Sequence, residues 1–198
     1  MISAEFIAVI VIAYILGNIS PSTILAKRRG MDIKHEGSGN AGTTNTLRVL
    51  GVHAALITLV VDIGKGVLAV MLARWICPAA VMYCALAAFL GHVFPVFLKF
   101  KGGKGVAVAF GVLLAMNWKL ALAAFGVVAV VVVLTRRVSP GSIAIAVVFP
   151  LLVYWMEPDF FYLSIIMALI VFFKHWSNLM RLIHGEEKPI TASWFKKR

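Results

Sequence analysis

The chain has 198 residues, of which 62% are hydrophobic and only 14% charged, and its formal net charge is +11. Soluble domains carry about 25% charged residues, so water is excluded as the solvent for most of this surface and lipid is required instead. A net charge this basic also marks nucleic-acid binders, but the placement of the charges assigns it to membrane topology, with no nucleic-acid partner.

A membrane-spanning helix needs about 20 mostly apolar residues, within a range of about 17–25. Seven segments qualify: 4–26, 54–75, 79–98, 104–117, 119–135, 141–157 and 159–175. They predict an all-α, polytopic integral membrane helical bundle of about seven transmembrane helices. The bundle forms a single domain over 1–198, with a basic tail over roughly 189–198. The first segment ends in Lys27-Arg28-Arg29. A signal peptide carries its basic region before the apolar stretch, so this one reads as a retained helix. The fourth and fifth segments are divided at Met116-Asn117-Trp118-Lys119, because one helix over 106–135 is too long for a single span. Six helices is the competing count.

With the N-terminus outside and the C-terminus cytoplasmic, every Lys and Arg except Lys65, Arg74 and Lys119 falls on the inner side. That is the asymmetry expected of short cytoplasmic loops. Cys77 and Cys84 lack His or Cys neighbours at metal spacing and read as packing residues. No metal and no cofactor is expected.

Polar complexity collects in three inner-face segments. The first is Gly37-Ser38-Gly39-Asn40-Ala41-Gly42-Thr43-Thr44-Asn45-Thr46-Leu47-Arg48. Glycine lets backbone N–H groups approach a ligand, and Arg48 offers a bidentate phosphate clamp. With 43–50 helical, Asn45 and Arg48 share a face. A Gly/Ser/Asn-rich turn capping a helix fits the composition equally well.

The second segment, Lys99-Phe100-Lys101-Gly102-Gly103-Lys104-Gly105, runs straight into an apolar helix. Glycine-rich backbone at a helix N-terminus makes an anion site. A plain positive-inside loop explains the lysines but not three glycines around Lys104. Just upstream, Pro95 in Gly91-His92-Val93-Phe94-Pro95 ends or kinks a helix; His92 is either a base or donor or, more commonly for a membrane histidine, a packing residue.

In the third segment, His175 to Lys188, helical spacing puts His175, Asn178 and Arg181 near one face, and the helix stops at Gly185. An interfacial amphipathic helix is the plainer reading. Asp62 and Lys65 lie inside the second span, where paired charges are the rule. Ser139 and Ser142 stand at the start of the sixth as caps or ligand donors.

Together these segments resemble the bacterial acyl-phosphate:glycerol-3-phosphate acyltransferase family, the PlsY type. Its first motif is similar to Ser38-Gly39-Asn40-Ala41-Gly42-Thr43-Thr44-Asn45 with Arg48. The second is similar to Gly91-His92-Val93-Phe94-Pro95-Val96-Phe97 continuing into Phe100-Lys101-Gly102-Gly103-Lys104-Gly105-Val106-Ala107. The third is similar to His175, Asn178, Arg181-Leu182, Gly185 and Glu187. Trp176-Ser177 departs from the Arg-Glu common in the family.

The resemblance implies a bacterial inner-membrane enzyme of phospholipid biosynthesis with its active site on the cytoplasmic face. The 1-hydroxyl of glycerol 3-phosphate attacks the acyl carbon of a long-chain acyl phosphate, giving lysophosphatidic acid and phosphate. Ser38, Arg48, Lys104, His175 and Asn178 are then the catalytic set. Gly39, Asn40, Gly42, Asn45, His92, Gly102, Gly103, Gly105, Ser142, Arg181, Gly185 and Glu187 bind substrate. Substrate phosphate takes the proton, with His92 the second candidate base. A transporter for a phosphorylated solute is the rival from another class, but it requires a polar outward path and the outer half is nearly all apolar. A structural or assembly protein is the third reading and leaves the glycine loops without a purpose.

Overall fold

A computed structural model of the chain describes residues 3–191. Among these residues every regular element is helical. The described residues form two compact units, 3–115 with Thr191, and Met116–Ile190.

In the first unit, α1 (Ala4–Asn18) and α2 (Pro21–Arg28) make one apolar run of 25 residues. They break at Ile19–Ser20, where the backbone is extended and Pro21 takes the first position of α2; proline suits a helix start because it lacks the N–H that would go unused there. α3 (Thr43–Leu50) is short, and α4 (Val52–Ile76) has 25 residues, about 37 Å at 1.5 Å per residue. α5 (Val81–Val93) and α6 (Val106–Met116) follow.

Small residues let these helices meet backbone to backbone. A Cβ on Gly17 of α1 would stand 2.9 Å from Gly91 Cα of α5, and one on Gly66 of α4 would stand 2.9 Å from Val112 N of α6. Without a hydrophobic force between helices in lipid, such close packing is what holds them together. The buried core between them is accordingly small: Val9, Ala13, Ala69, Ala73, Cys84, Ala87, Ala88 and Val108.

In the second unit, Asn117 caps α7 (Trp118–Thr135), its Oδ1 accepting from the Lys119 and Leu120 amides at 3.0 and 3.2 Å. Arg136, in the left-handed region at φ 52°, turns the chain into α8 (Val138–Met156). α9 (Phe161–Lys174) bends by 51° at His175 into α10 (Trp176–Ile183).

Each of the seven expected segments is helical, but only five are long and apolar enough to cross a membrane, or six with the bent α9–α10 pair taken as one. The shortfall lies at α6. Its 11 residues reach about 16 Å, against a hydrocarbon core of about 30 Å. Residues 102–105 stay out of the helix at one end, and the Asn117 cap restarts the chain at the other.

Candidate active site

The first glycine loop is organised from within. Gly37 and Gly39 take φ values of 62° and 70°, where a side chain is strained. The Gly39 amide donates to Glu36 O at 2.9 Å. Asn45 is 1% exposed. Its Oδ1 accepts the Ser38 amide at 2.8 Å, and its Nδ2 donates to Glu36 O at 2.9 Å and Ile33 O at 3.4 Å. Asn45 therefore ties the loop together from a buried position, three residues from the half-buried Arg48. Gly42 caps α3, and the Thr46 hydroxyl donates to its carbonyl at 3.0 Å. Ser38 is exposed, and Gly39 and Asn40 are half-buried.

The second loop is built on the end of α5. Pro95 stops that helix, and the chain reverses through Lys99 and Phe100, both left-handed at φ 54° and 60°. It then runs back so that Gly102 N donates to Val93 O at 3.3 Å and Gly103 N to His92 O at 3.1 Å. These two amides satisfy helix-end carbonyls, so they are not open donors for an anion as the sequence pattern implied. The glycines are needed for proximity: a Cβ on Gly103 would fall against His92 Nε2, and one on Gly105 (φ 88°) against the Phe89 ring. Lys104 is half-buried beside them. Lys34 Nζ donates to Leu98 O at 3.3 Å. A cleft of about 290 Å³ lined by Lys34, His35, Gly39, Lys101 and Gly102 joins the two loops. Lys34, His35 and Lys101 escape a sequence reading because they look like ordinary positive-inside charges.

Beneath the second loop, Asp62 and Lys65 are paired within α4, Nζ to Oδ1 at 2.8 Å, with 2% and 3% of their side chains exposed. Lys65 Nζ also lies 2.6 Å from Ile19 O, at the α1–α2 break, and 2.9 Å from His92 Nδ1. The expected internal pairing of Asp62 and Lys65 is found, and it recruits His92 as well. With Nδ1 engaged by Lys65, His92 is poorly placed to act as a general base.

In the second unit the hub is Glu187, 8% exposed. Its Oε1 accepts from Ser139 Oγ at 2.6 Å and Asn178 Nδ2 at 2.7 Å, its Oε2 from Arg181 Nε at 2.8 Å, and its backbone carbonyl from Arg137 Nε at 2.7 Å. Burial alone would raise the carboxyl's pKa, but the hydrogen bonds from Ser139, Arg181 and Asn178, with the Arg181 charge, outweigh it and hold it below the ordinary carboxylate value. A carboxylate so occupied holds Asn178 and Arg181 in place. Gly185, at φ 73°, ends the turn that brings Glu187 round, with the Glu187 amide on Arg181 O at 3.1 Å. It acts through its conformation. His175 Nδ1 sits 2.8 Å from Val171 O, which fixes the proton on Nδ1 and makes Nε2 the acceptor edge of a neutral ring. The Ser142 hydroxyl returns to Val138 O of its own helix at 3.3 Å. The partnership of Ser139 and Arg137 with Glu187, 48 and 50 residues away, has no signal in the sequence beyond Ser139 standing at a helix start.

Helices of membrane-crossing length that present glycine-built loops, cationic side chains and a clamped Asn–Arg pair define a polytopic membrane protein equipped to handle anions. Known proteins narrow this further. A family model described as "Glycerol-3-phosphate acyltransferase" matches residues 7–185. A protein of Trichlorobacter lovleyi with that same name is 44% identical over 184 residues, covering 91% of this chain and 95% of its own. Two crystal structures of PlsY (YgiH), an integral membrane glycerol 3-phosphate acyltransferase, also match. The glycerol 3-phosphate form has a TM-score of 0.90 at 31% identity, covering 96% of this chain and 98% of that one. The lysophosphatidic acid form has a TM-score of 0.87 at 30% identity, covering 97% and 98%. This chain belongs to the glycerol-3-phosphate acyltransferase family.

Proposed function

We propose that this enzyme transfers a fatty acyl group from a long-chain acyl phosphate to the 1-hydroxyl of glycerol 3-phosphate. It releases lysophosphatidic acid and inorganic phosphate as the first acylation of phospholipid synthesis. The observation that carries the reading is the cationic cleft between the two glycine loops, in a chain whose family match runs through both units. The same match, over residues 7–185, supports reading both units as parts of one functional domain.

The hydroxyl oxygen attacks the acyl carbon, the bond from that carbon to the phosphate oxygen breaks, and phosphate leaves with the electron pair. An acyl phosphate is an activated anhydride, so little nucleophile activation is demanded, and a substrate phosphate oxygen takes the hydroxyl proton. Arg48 and Lys104 hold phosphate charge and stabilise its build-up on the leaving group. Exposed Ser38, with Gly39, Asn40 and Gly42, contributes donors at the first loop. His175 through Nε2 and Asn178, the latter held by Glu187, orient glycerol 3-phosphate; Arg181 and Ser142 stand beside them.

The enzyme lies in the bacterial inner membrane with its loops cytoplasmic and its N-terminus outside. Termini on opposite sides require an odd number of crossings, and with the bent α9–α10 pair as one span that number is seven. Short α6 completes one of them with residues 99–105, whose irregular backbone is tolerated because it bonds to the end of α5.

Purified protein in detergent, given palmitoyl phosphate and labelled glycerol 3-phosphate without acyl-CoA or acyl carrier protein, is expected to form labelled lysophosphatidic acid and phosphate in equal amounts. Absence of product overturns the reading. Lys104→Ala and Arg48→Ala each lower kcat/KM by about 100-fold or more with the melting temperature retained; full activity in either removes that residue from the site.

A further inference from the structure

The buried charges of α4 have no part in the reaction just described, yet they are closely paired. A lysine ammonium has three N–H donors and no acceptor. Lys65 has three acceptors within reach: Ile19 O at 2.6 Å, Asp62 Oδ1 at 2.8 Å and His92 Nδ1 at 2.9 Å. An ammonium can only donate, so Nδ1 of His92 contributes its lone pair and the neutral ring carries its proton on Nε2. That Nε2 edge is the one a Cβ on Gly103 would strike, and the same Cβ would lie 2.9 Å from Ala41 O of the first loop. The His92 carbonyl in turn accepts the Gly103 amide at 3.1 Å. One ammonium thus links the break in the first span, α4, the end of α5 and, through the imidazole, the place where both glycine loops pass.

We infer that Asp62, Lys65 and His92 form a positioning network: Asp62 and Lys65 lock the His92 ring so that it sets Gly102–Gly105 against the first loop, holding Lys104 at its phosphate. Breaking a paired buried charge network leaves its members uncompensated, so the ring loses its anchor and the loop its floor. The functional half of this inference rests on the acyltransferase reading, because it takes Lys104 to bind substrate phosphate. The loop-setting half does not.

The test uses the full chain in detergent. Asp62→Asn/Lys65→Met removes both charges together, and His92→Ala removes the ring alone should the double variant fail to fold. Amide hydrogen exchange is followed in the peptides covering 101–106 and 38–42, and KM and kcat for glycerol 3-phosphate and palmitoyl phosphate are measured beside it. Exchange at Gly102 and Gly103 is expected to rise about tenfold while the helices keep theirs. KM for a phosphate substrate rises about tenfold with kcat within threefold of the parent. Native exchange and native KM in a folded variant overturn the inference. An even rise in exchange along the whole chain also overturns it, by making the network a contributor to overall stability only. Raised loop exchange with unchanged KM overturns the link to binding. If the parent protein makes no lysophosphatidic acid, the acyltransferase reading fails while the exchange result still decides whether the network sets the loop.

Discussion

The two units solve one problem with opposite charges. In the first, a cation sits at the centre: Lys65 bonds a backbone carbonyl and an imidazole and forms an ion pair with a carboxylate. In the second, an anion sits at the centre: Glu187 accepts from a hydroxyl, an amide and a guanidinium. Both hubs gather side chains distant in sequence. They differ in surroundings. Lys65 and Asp62 lie within a span and are all but closed off, whereas Arg181 keeps 35% of its side chain exposed. An enclosed charge has no water to replace a lost partner. The first hub therefore tolerates almost nothing, while the second can be loosened by degrees and by acid.

The largest effect should follow from halving the enclosed pair. Lys65→Met alone leaves the Asp62 carboxylate buried and uncompensated, at a cost of about 3–5 kcal/mol. Thermal unfolding is expected to show this, with Asp62→Asn/Lys65→Met recovering most of it. Equal melting temperatures for the single and double variants would break the comparison at its root.

At the open hub, Glu187→Ala strips three donors of their acceptor. Unfolding free energy should drop by about 1–3 kcal/mol, and kcat/KM should fall by about tenfold or more as Asn178 and Arg181 lose their orientation. Acid separates the hubs further. The Glu187 carboxyl titrates below its ordinary 4.5 when folded. Its stabilisation is therefore complete above about pH 4.5 and is lost as pH falls from there through the depressed folded value. Parent minus Glu187→Gln, followed by melting between pH 6 and 3, should show a gap that narrows on acidification. A constant gap would mean the carboxylate charge is not what matters.

The smallest effects compare two serines on α8. Ser139→Ala removes a donor to Glu187 and should cost about 1 kcal/mol. Ser142→Ala loses only a long bond to its own helix and should stay within about 0.5 kcal/mol. If Ser142→Ala nevertheless raises KM severalfold, its hydroxyl serves substrate, as the family resemblance implies.

Much of this was legible without coordinates. Gly185 at a helix end, Asp62 paired with Lys65, the helix from Thr43, and the Ser38–Gly42 and Gly102–Gly105 loops all stand where the residues placed them. These features depend on neighbours within a few residues, which a sequence displays directly. The intraprotein bonds of Asn45 and Glu187 could not be read in advance, because a polar residue in a motif looks the same whether it faces a ligand or the loop's own backbone. α6 was given too many residues because Gly103, Gly105 and Lys104 do not state where a helix must yield to close packing against Phe89 and His92.

The membrane setting, the helical class and the uneven spread of basic residues among the loops are properties of hydropathy and charge counted along the chain, and they required no folding to read. Only the tertiary structure decided that one lysine would serve three elements and that one glutamate would hold Asn178, Arg181 and Ser139 together. The reason is physical: an unpaired polar atom is costly away from water, so buried groups are driven to find partners through space, and the distance along the chain to that partner, 27 residues from Lys65 to His92 and 48 from Ser139 to Glu187, is written nowhere in the local pattern.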